Sequence, residues 1–424
     1  MTYFYFSLGC KVNSYECNAL SSLLKEKGYT EDKDNPDVII INTCSVTATA
    51  DQKSRQHIRK FKNNYPHAII VVMGCYAQGH AKFIFDEIKP HILVGTSNRN
   101  KIPELIDEYL INKKPIFKVE DNPRLFKYEE FAITSCSENI RSYLKIQDGC
   151  DNFCSYCLIP YVRGKSRSRD YLSIINEAKS LVKEGYQEIV LSGIHVGGYG
   201  KDLKDMSFSK LVNDLLNIKD LYRLRISSIE ESEIDDELIN LINTKDNLAK
   251  HLHIPLQSGA ASTLKAMNRK YTKDEFLAKI KHIREACPDI AITTDVIVGF
   301  PGEKEEDFIE TYNFIKECGF NMLHVFPFSA REKTIAYSLP NQVSPDIKKS
   351  RVDRLLKLSD ELWNEYCLRF DNKSVDILVE QYDKINKVNI GHTSNYLEVK
   401  IPSEKSEVGN IIKTIYKVSN NEKK

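Results

Sequence analysis

The sequence predicts an α/β protein in three parts: an N-terminal open parallel α/β domain, a central partial barrel of six β/α units, and a small all-β module at the C-terminal end. Three observations carry that expectation. Short β-rich runs alternate with helical periods from Thr2 to about Leu110, the pattern of a parallel sheet with crossover helices. A second alternation, from Tyr143 to Pro327, contains six strand-like runs, and six β/α units in a row suggest a parallel barrel or part of one. After Asp371 the runs become short and alternating with no helix between them, as in a small β module.

Taken in order, Tyr3 to Phe6, Val38 to Ile41, Ala68 to Met73 and Ile92 to Val94 read as the strands of the first domain, residues 1–116. Residues 117–138 are polar and carry Pro123, and are expected to form a linker. The barrel with its trailing helix is expected over 139–371. Its strands are Tyr143 to Gln147, Glu188 to Leu191, Tyr222 to Ser227, His251 to Leu256, Ile290 to Val298 and Met322 to Pro327, mostly separated by amphipathic helices such as Tyr171 to Glu184. Ile347 to Phe370 carries Leu355, Leu358, Leu362 and Tyr366 on one stripe, so this helix should pack back on the barrel. Val375 to Glu380, Tyr396 to Ile401 and Ile411 to Tyr416 form the module of 372–424, and Ser419 to Lys424 reads as a frayed end.

Composition sets limits on function. A chain of 424 residues with 42% hydrophobic content can bury more than one core. The formal charge of +1 gives no whole-protein field, so a nucleic-acid partner would be held by local basic patches. There is no basic flank followed by an apolar run at the N-terminus, and no uncharged apolar stretch approaches the roughly 18 residues of a membrane span. The expectation is a soluble, cytoplasmic protein with no membrane partner.

Eleven cysteines in such a chain point to metal binding or catalysis rather than to disulfides. Cys150, Cys154 and Cys157 crowd one loop, within KIQDGCDNFCSYCLIPYVRG, at the end of the first barrel strand. Thiolates are the ligands iron-sulfur clusters need, and three of them leave one iron of a four-iron cluster open to a substrate or cofactor. Structural zinc would want a fourth Cys or His. Cys10, Cys44 and Cys75 each follow one of the first three strands, and ligand crevices in open α/β sheets lie beyond the carboxyl ends of the strands. Those three thiols either converge or are simply small residues ending strands; spacing alone leaves both readings open. Cys17 and Cys136 read as spectators, and Cys287, Cys318 and Cys367 as small hydrophobes in helices.

The Cys150-x3-Cys154-x2-Cys157 loop at the start of a β/α barrel resembles the radical S-adenosylmethionine family. FSLGCKVNSYE at Phe6 to Glu16, INTCSVT at Ile41 to Thr47 and VVMGCYAQ at Val71 to Gln78 resemble the N-terminal domain of the methylthiotransferases within it. GIHVGGYG at Gly193 to Gly200, HIPLQSG at His253 to Gly259 and DVIVGFPGE at Asp295 to Glu303 resemble their barrel, and the last fifty or so residues are similar to their small RNA-binding TRAM domain. The resemblance implies S-adenosylmethionine and two 4Fe-4S clusters: one on Cys150, Cys154 and Cys157 that drives radical formation, and one on Cys10, Cys44 and Cys75 that carries or donates sulfur. By position it places Gly193, His195, Ser228, Glu230, Gln257, Asp295 and Gly299 at the cofactor.

Activity follows from the same resemblance: insertion of sulfur at carbon 2 of an adenosine beside the anticodon, then methylation. Its partners would be the tRNA anticodon loop, a reduced electron donor such as flavodoxin or ferredoxin, and a sulfur source. LGCKVNSYE resembles the branch acting on threonylcarbamoyl-adenosine. The alternatives are isopentenyl-adenosine, an aspartate of a ribosomal protein, or a non-enzymatic iron-sulfur RNA-binding protein. A threonylcarbamoyl group brings a carboxylate that calls for a cation, and Arg163 and Arg167, in the run Arg163, Lys165, Arg167 and Arg169 after the cluster loop, are the candidates.

Overall fold

A computed structural model describes residues 1–133 and 140–418. Cys136, the terminal stretch 419–424 and the end of the expected linker lie outside the described residues.

Six parallel strands form the first sheet: β1 (Thr2–Ser7), β2 (Thr30–Glu31), β3 (Val38–Thr43), β4 (Ile69–Gly74), β5 (Ile92–Val94) and β6 (Ile116–Lys118), in the order β2-β1-β3-β4-β5-β6. β3 and β4 are buried on both faces, which is why their sequences, VIIINT and IIVVMG, are near-continuous apolar runs, broken only by the buried Asn42 and Thr43 at the end of β3. At ~1.5–3 kcal/mol per fully buried aliphatic side chain, this pair anchors the domain. The short strands β2 and β6, absent from the sequence reading, sit at the two sheet edges, where pairing with one neighbour demands little apolar pattern. The segment read as a linker is not a free tether. β6 begins it, Phe131 and Ile133 are buried, and the Tyr128 hydroxyl donates to the Lys145 carbonyl at 3.1 Å.

The central region is a six-stranded parallel half-barrel. β7 (Arg141–Lys145) is followed by a two-strand loop, β8 (Gln147–Asp148) with β9 (Arg167–Ser168), then by β10 (Glu188–Ser192), β11 (Arg223–Ile226), β12 (His251–His253), β13 (Ala291–Val298) and β14 (Met322–Pro327). The sheets β11-β10-β7 and β12-β13-β14 are joined by parallel bridges from Leu224 to Leu248 and from Ser228 to His253. β7 and β14 are therefore its free edges, and helix Lys11–Glu26 of the first domain packs along β7. Tyr15 on that helix donates to the Phe131 carbonyl at 3.0 Å, and one continuous apolar core runs through both regions.

Helix Pro345–Leu368 buries Leu355, Leu358 and Tyr366 as its stripe predicts. The last module is a four-stranded antiparallel sheet, β17-β16-β15-β18, of β15 (Ser374–Asp383), β16 (Val388–His392), β17 (Glu398–Pro402) and β18 (Ile411–Ile415). Strand β16 was missed because Asn389, Gly391 and His392 interrupt its apolar alternation. Its core joins Tyr366, Cys367 and Phe370 of the long helix. The loop Thr393–Tyr396 closes the end of the barrel where the strands start: Arg225 donates to the Ser394 carbonyl at 2.9 Å, and its guanidinium lies 3.9 Å from the centre of the Tyr396 ring.

Candidate active site

The N-terminal cysteines stand where their strands end. Cys10 caps helix Lys11–Glu26, Cys44 follows β3 directly, and Cys75 opens the short helix Cys75–Gly79 after β4. Gly9 has φ +100°, and a Cβ there would meet the Cys44 Cβ and Sγ at 2.6 Å, so only glycine lets the turn before Cys10 lie against Cys44. Gly74, at φ +102°, does the same for the backbone before Cys75, where a Cβ would lie 2.8 Å from the Thr43 amide nitrogen. The three thiols are close enough to act on one another electrostatically.

The barrel loop is fixed by its surroundings. The Cys150 amide donates to the Gly164 carbonyl at 3.0 Å, the Ser155 amide to the Met267 carbonyl at 2.9 Å, and the Asn268 side chain to the Phe153 carbonyl at 2.8 Å. Arg269 reaches the Cys154 sulfur at 3.5 Å and pairs with Glu230. His195 pairs with Glu233 at 3.0 Å and faces Cys150 closely enough to feel its charge. Burial opposes the charged ring, but those two partners carry its pKa up to about 10.

Burial pushes the Cys75 and Cys157 thiols up to about 12. A thiolate in such a place is stable only beside cations, and a bound metal supplies them. Among the described residues no three His, Cys, Asp or Glu side chains converge tightly enough to hold a single metal ion. Thiolates are the donors that an iron-sulfur cluster takes, and Cys150, Cys154 and Cys157 offer three of them from one loop.

Between the two sets lies a cavity of about 220 Å³. Cys75 lines it from the first domain and Cys157 from the barrel, with Gln257 and Asp295 on the wall and Val46, Ile297 and Phe326 as apolar surface. Gln257 adopts φ +65° and donates its amide proton to the Asp295 carbonyl at 2.8 Å, which turns the chain beside β13. Arg331 secures the cavity from outside, bonding Ser45 at 2.8 Å and Asp51 at 2.5 Å across the domain boundary.

The other residues expected at the cofactor divide. His195 and Glu230 stand at the cysteine loop, as above. Gly193 packs on Gln147, whose side-chain oxygen accepts from the His195 amide at 2.8 Å. Ser228 is exposed at the β11–β12 junction. Gly299 does not line the cavity; it turns against Lys348 of the long helix, and its amide donates to Glu303 at 2.9 Å.

The basic run after the loop departs from expectation. Arg163, Arg167 and Arg169 are buried, and only Lys165 of the four is exposed. Arg163 donates to the Cys75 sulfur at 3.1 Å, to Glu16 at 2.8 Å, to Asp148 at 3.1 Å and to Asn13 at 3.1 Å. Arg167 pairs with Asp148 at 3.3 Å, and Arg169 with Glu177 and, at 3.1 Å, Glu130. Arg163 and Arg167 are thus committed to internal partners and are not free cations for a substrate carboxylate. Arg269 and Arg331, which the sequence reading missed, take their roles from residues distant in sequence; no local pattern marks them.

Residues 144–315 match the radical SAM superfamily, and residues 2–95 match the uncharacterized protein family UPF0004. The chain is 45% identical over 415 residues to a threonylcarbamoyladenosine tRNA methylthiotransferase of Bacillus subtilis, covering 96% of this chain and 92% of that one. It is 35% identical to the enzyme of the same name from Aquifex aeolicus, over 96% and 98% of the two chains. To a tRNA-2-methylthio-N(6)-dimethylallyladenosine synthase of Thermoanaerobacter pseudethanolicus it is 38% identical, over 89% and 81%. In fold it is similar to a radical S-adenosylmethionine methyltransferase, TsrM, from Kitasatospora setae, with TM-score 0.59 at 13% identity over 76% of this chain and 72% of that one. No helix among the described residues is long and apolar enough to cross a membrane. Because the Bacillus subtilis relative matches along nearly the full length of both chains, this chain belongs to the radical S-adenosylmethionine tRNA methylthiotransferases, enzymes that work with S-adenosylmethionine and a 4Fe-4S cluster.

Proposed function

We propose that this enzyme converts N6-threonylcarbamoyladenosine beside the tRNA anticodon into its 2-methylthio derivative, with its two cysteine triads dividing the work. The observation that carries the reading is the single cavity lined by Cys75 and Cys157. The names of the Bacillus subtilis and Aquifex aeolicus relatives support the substrate.

In this reading Cys150, Cys154 and Cys157 hold the radical cluster, and Cys10, Cys44 and Cys75 hold a second 4Fe-4S cluster that carries sulfur. Bound at the barrel triad, S-adenosylmethionine and its cluster supply a radical, which carbon 2 of adenosine requires because its hydrogen offers no handle to acid-base chemistry. The protein's own residues position and exclude. His195 and Arg269 bring positive donors to Cys150 and Cys154. Gln257 and Asp295 present polar groups to the cofactor, while Val46, Ile297 and Phe326 keep water from the reacting carbon. Residues 1–116 serve sulfur transfer, 139–371 radical chemistry, and 372–424 hold the RNA by its backbone and shape. A small reduced protein of the flavodoxin or ferredoxin kind and a cellular sulfur source complete the cycle in the cytoplasm.

The apolar walls also suit an isopentenyl group, the substituent named for the Thermoanaerobacter relative. Mass spectrometry of tRNA nucleosides from cells lacking this gene separates the two. Loss of 2-methylthio-threonylcarbamoyladenosine supports the proposal, and loss confined to 2-methylthio-isopentenyladenosine overturns it.

A further inference from the structure

The substrate reading above, on which this inference rests, calls for a cation that Arg163 and Arg167 do not provide. The barrel interior offers another. Helix Lys11–Glu26 packs along the free edge strand β7, so its first residue stands at the barrel's lateral opening. There Lys11 feels the charges of Arg225, Arg141 and Glu188 at the strand starts, and its own charge acts on His251 and His324. Lys11 is accessible to water, and its ammonium makes no hydrogen bond or ion pair with any described residue.

The carboxylates around it are taken. Glu188 is shared by Arg141 at 2.9 Å, Arg223 at 3.0 Å and Arg225 at 2.9 Å, and Glu380 pairs with Arg141 and His392. Positive charge is therefore in surplus around Lys11. The interior also holds His253, which bonds Thr293 at 2.9 Å and Asp295 at 3.2 Å, and His324, whose ring centre lies 5.4 Å from that of His253. His324 is exposed, and its ring has no hydrogen-bond partner among the described residues. It is the register partner of Asp295, which also lines the cavity holding Cys75 and Cys157. Asp295 thus joins the reaction cavity to these basic side chains.

We propose that Lys11 forms the cationic end of the substrate cavity, with the imidazole rings of His253 and His324 beside it as hydrogen-bonding groups, and binds the carboxylate of the threonylcarbamoyl substituent. A cation without a carboxylate partner, set among further positive side chains, favours an anionic ligand, and an apolar substituent that covers it from water would leave it unpaired. That asymmetry gives specificity for the charged group over an isopentenyl group.

The test is equilibrium binding of reconstituted full-length enzyme to two anticodon stem-loop RNAs, one bearing threonylcarbamoyladenosine and one bearing the same group with its carboxylate converted to the primary amide. The native enzyme should bind the acid ~10–100-fold more tightly than the amide, as a charge-assisted hydrogen bond implies. Lys11→Met should lose that preference by weakening the acid alone, and Lys11→Arg should restore much of it, with iron content equal in all three proteins. A Lys11→Met enzyme that still discriminates would overturn the inference while leaving the substrate reading intact. A native enzyme with no preference for the acid would overturn both.

Discussion

Cys75 and Cys157 come from different domains and line the same cavity. One follows a strand of the open sheet, the other closes the cysteine loop of the half-barrel, and Arg163 fixes their relation by bonding the Cys75 sulfur at 3.1 Å from the segment just beyond that loop. A sulfur carried by one triad and a carbon activated at the other then need travel no further than this cavity.

Arg163 should be the costliest single cation to remove. It is fully buried among Glu16, Asp148 and Asn13, and its loss leaves carboxylates short of partners in a dry interior. Arg163→Met should destabilise the protein by ~3–5 kcal/mol. Urea denaturation measures it, and a loss under ~1 kcal/mol would mean that the other cations in the cluster, Arg99 and Lys145 on both carboxylates and Arg167 on Asp148, suffice for Glu16 and Asp148.

Docking of the C-terminal module should be acid-sensitive through Glu188. Burial alone would raise its pKa, but Arg225, Arg141 and Arg223 hold it at about 2. Because the folded value is depressed, its stabilisation is present above the ordinary carboxylate value and is lost as pH falls towards about 2; the amount is ~3 kcal/mol. Trp363, the chain's one tryptophan, packs at the core of that module and reports the change. Glu188→Gln should undock at neutral pH or show a flatter acid titration of Trp363 fluorescence, and a titration identical to the parent's would exclude Glu188 as the clamp.

Blocking the cavity should stop the reaction without disturbing the fold. Val46 lies on its rim and is 61% exposed, so Val46→Trp adds bulk at a position where substitutions usually change stability by no more than ~0.5 kcal/mol. Methylthiolated product should fall by ~10-fold or more, with iron content and urea midpoint unchanged. Undiminished product would place the reaction elsewhere.

Much of this was legible in the sequence, and the reason is periodicity. The six barrel strands and the three long N-terminal strands are short β-rich runs of the right length separated by helical periods, and Gly9-Cys10, Gly74-Cys75 and Gly149-Cys150 mark turns beyond three of them. Edge strands such as Thr30–Glu31 escaped because they bury little. Arg163 and Arg167 stood as candidates for the substrate carboxylate because charge alternation looks the same whether its partners are water, ligand or internal carboxylates; Glu16, Asp148 and Glu177 come to this run only in three dimensions. Lys11 was hidden for the same reason, since its neighbours Arg141, Glu188 and Arg225 lie on three separate strands.

The division of labour between the triads is tested most directly by assaying 5'-deoxyadenosine and methylthiolated tRNA in parallel for two triple-alanine proteins. With Cys10, Cys44 and Cys75 replaced, cofactor cleavage should persist and product vanish; with Cys150, Cys154 and Cys157 replaced, both should vanish while iron remains on the first triad. Full product from the first protein, or normal 5'-deoxyadenosine from the second, would contradict the account.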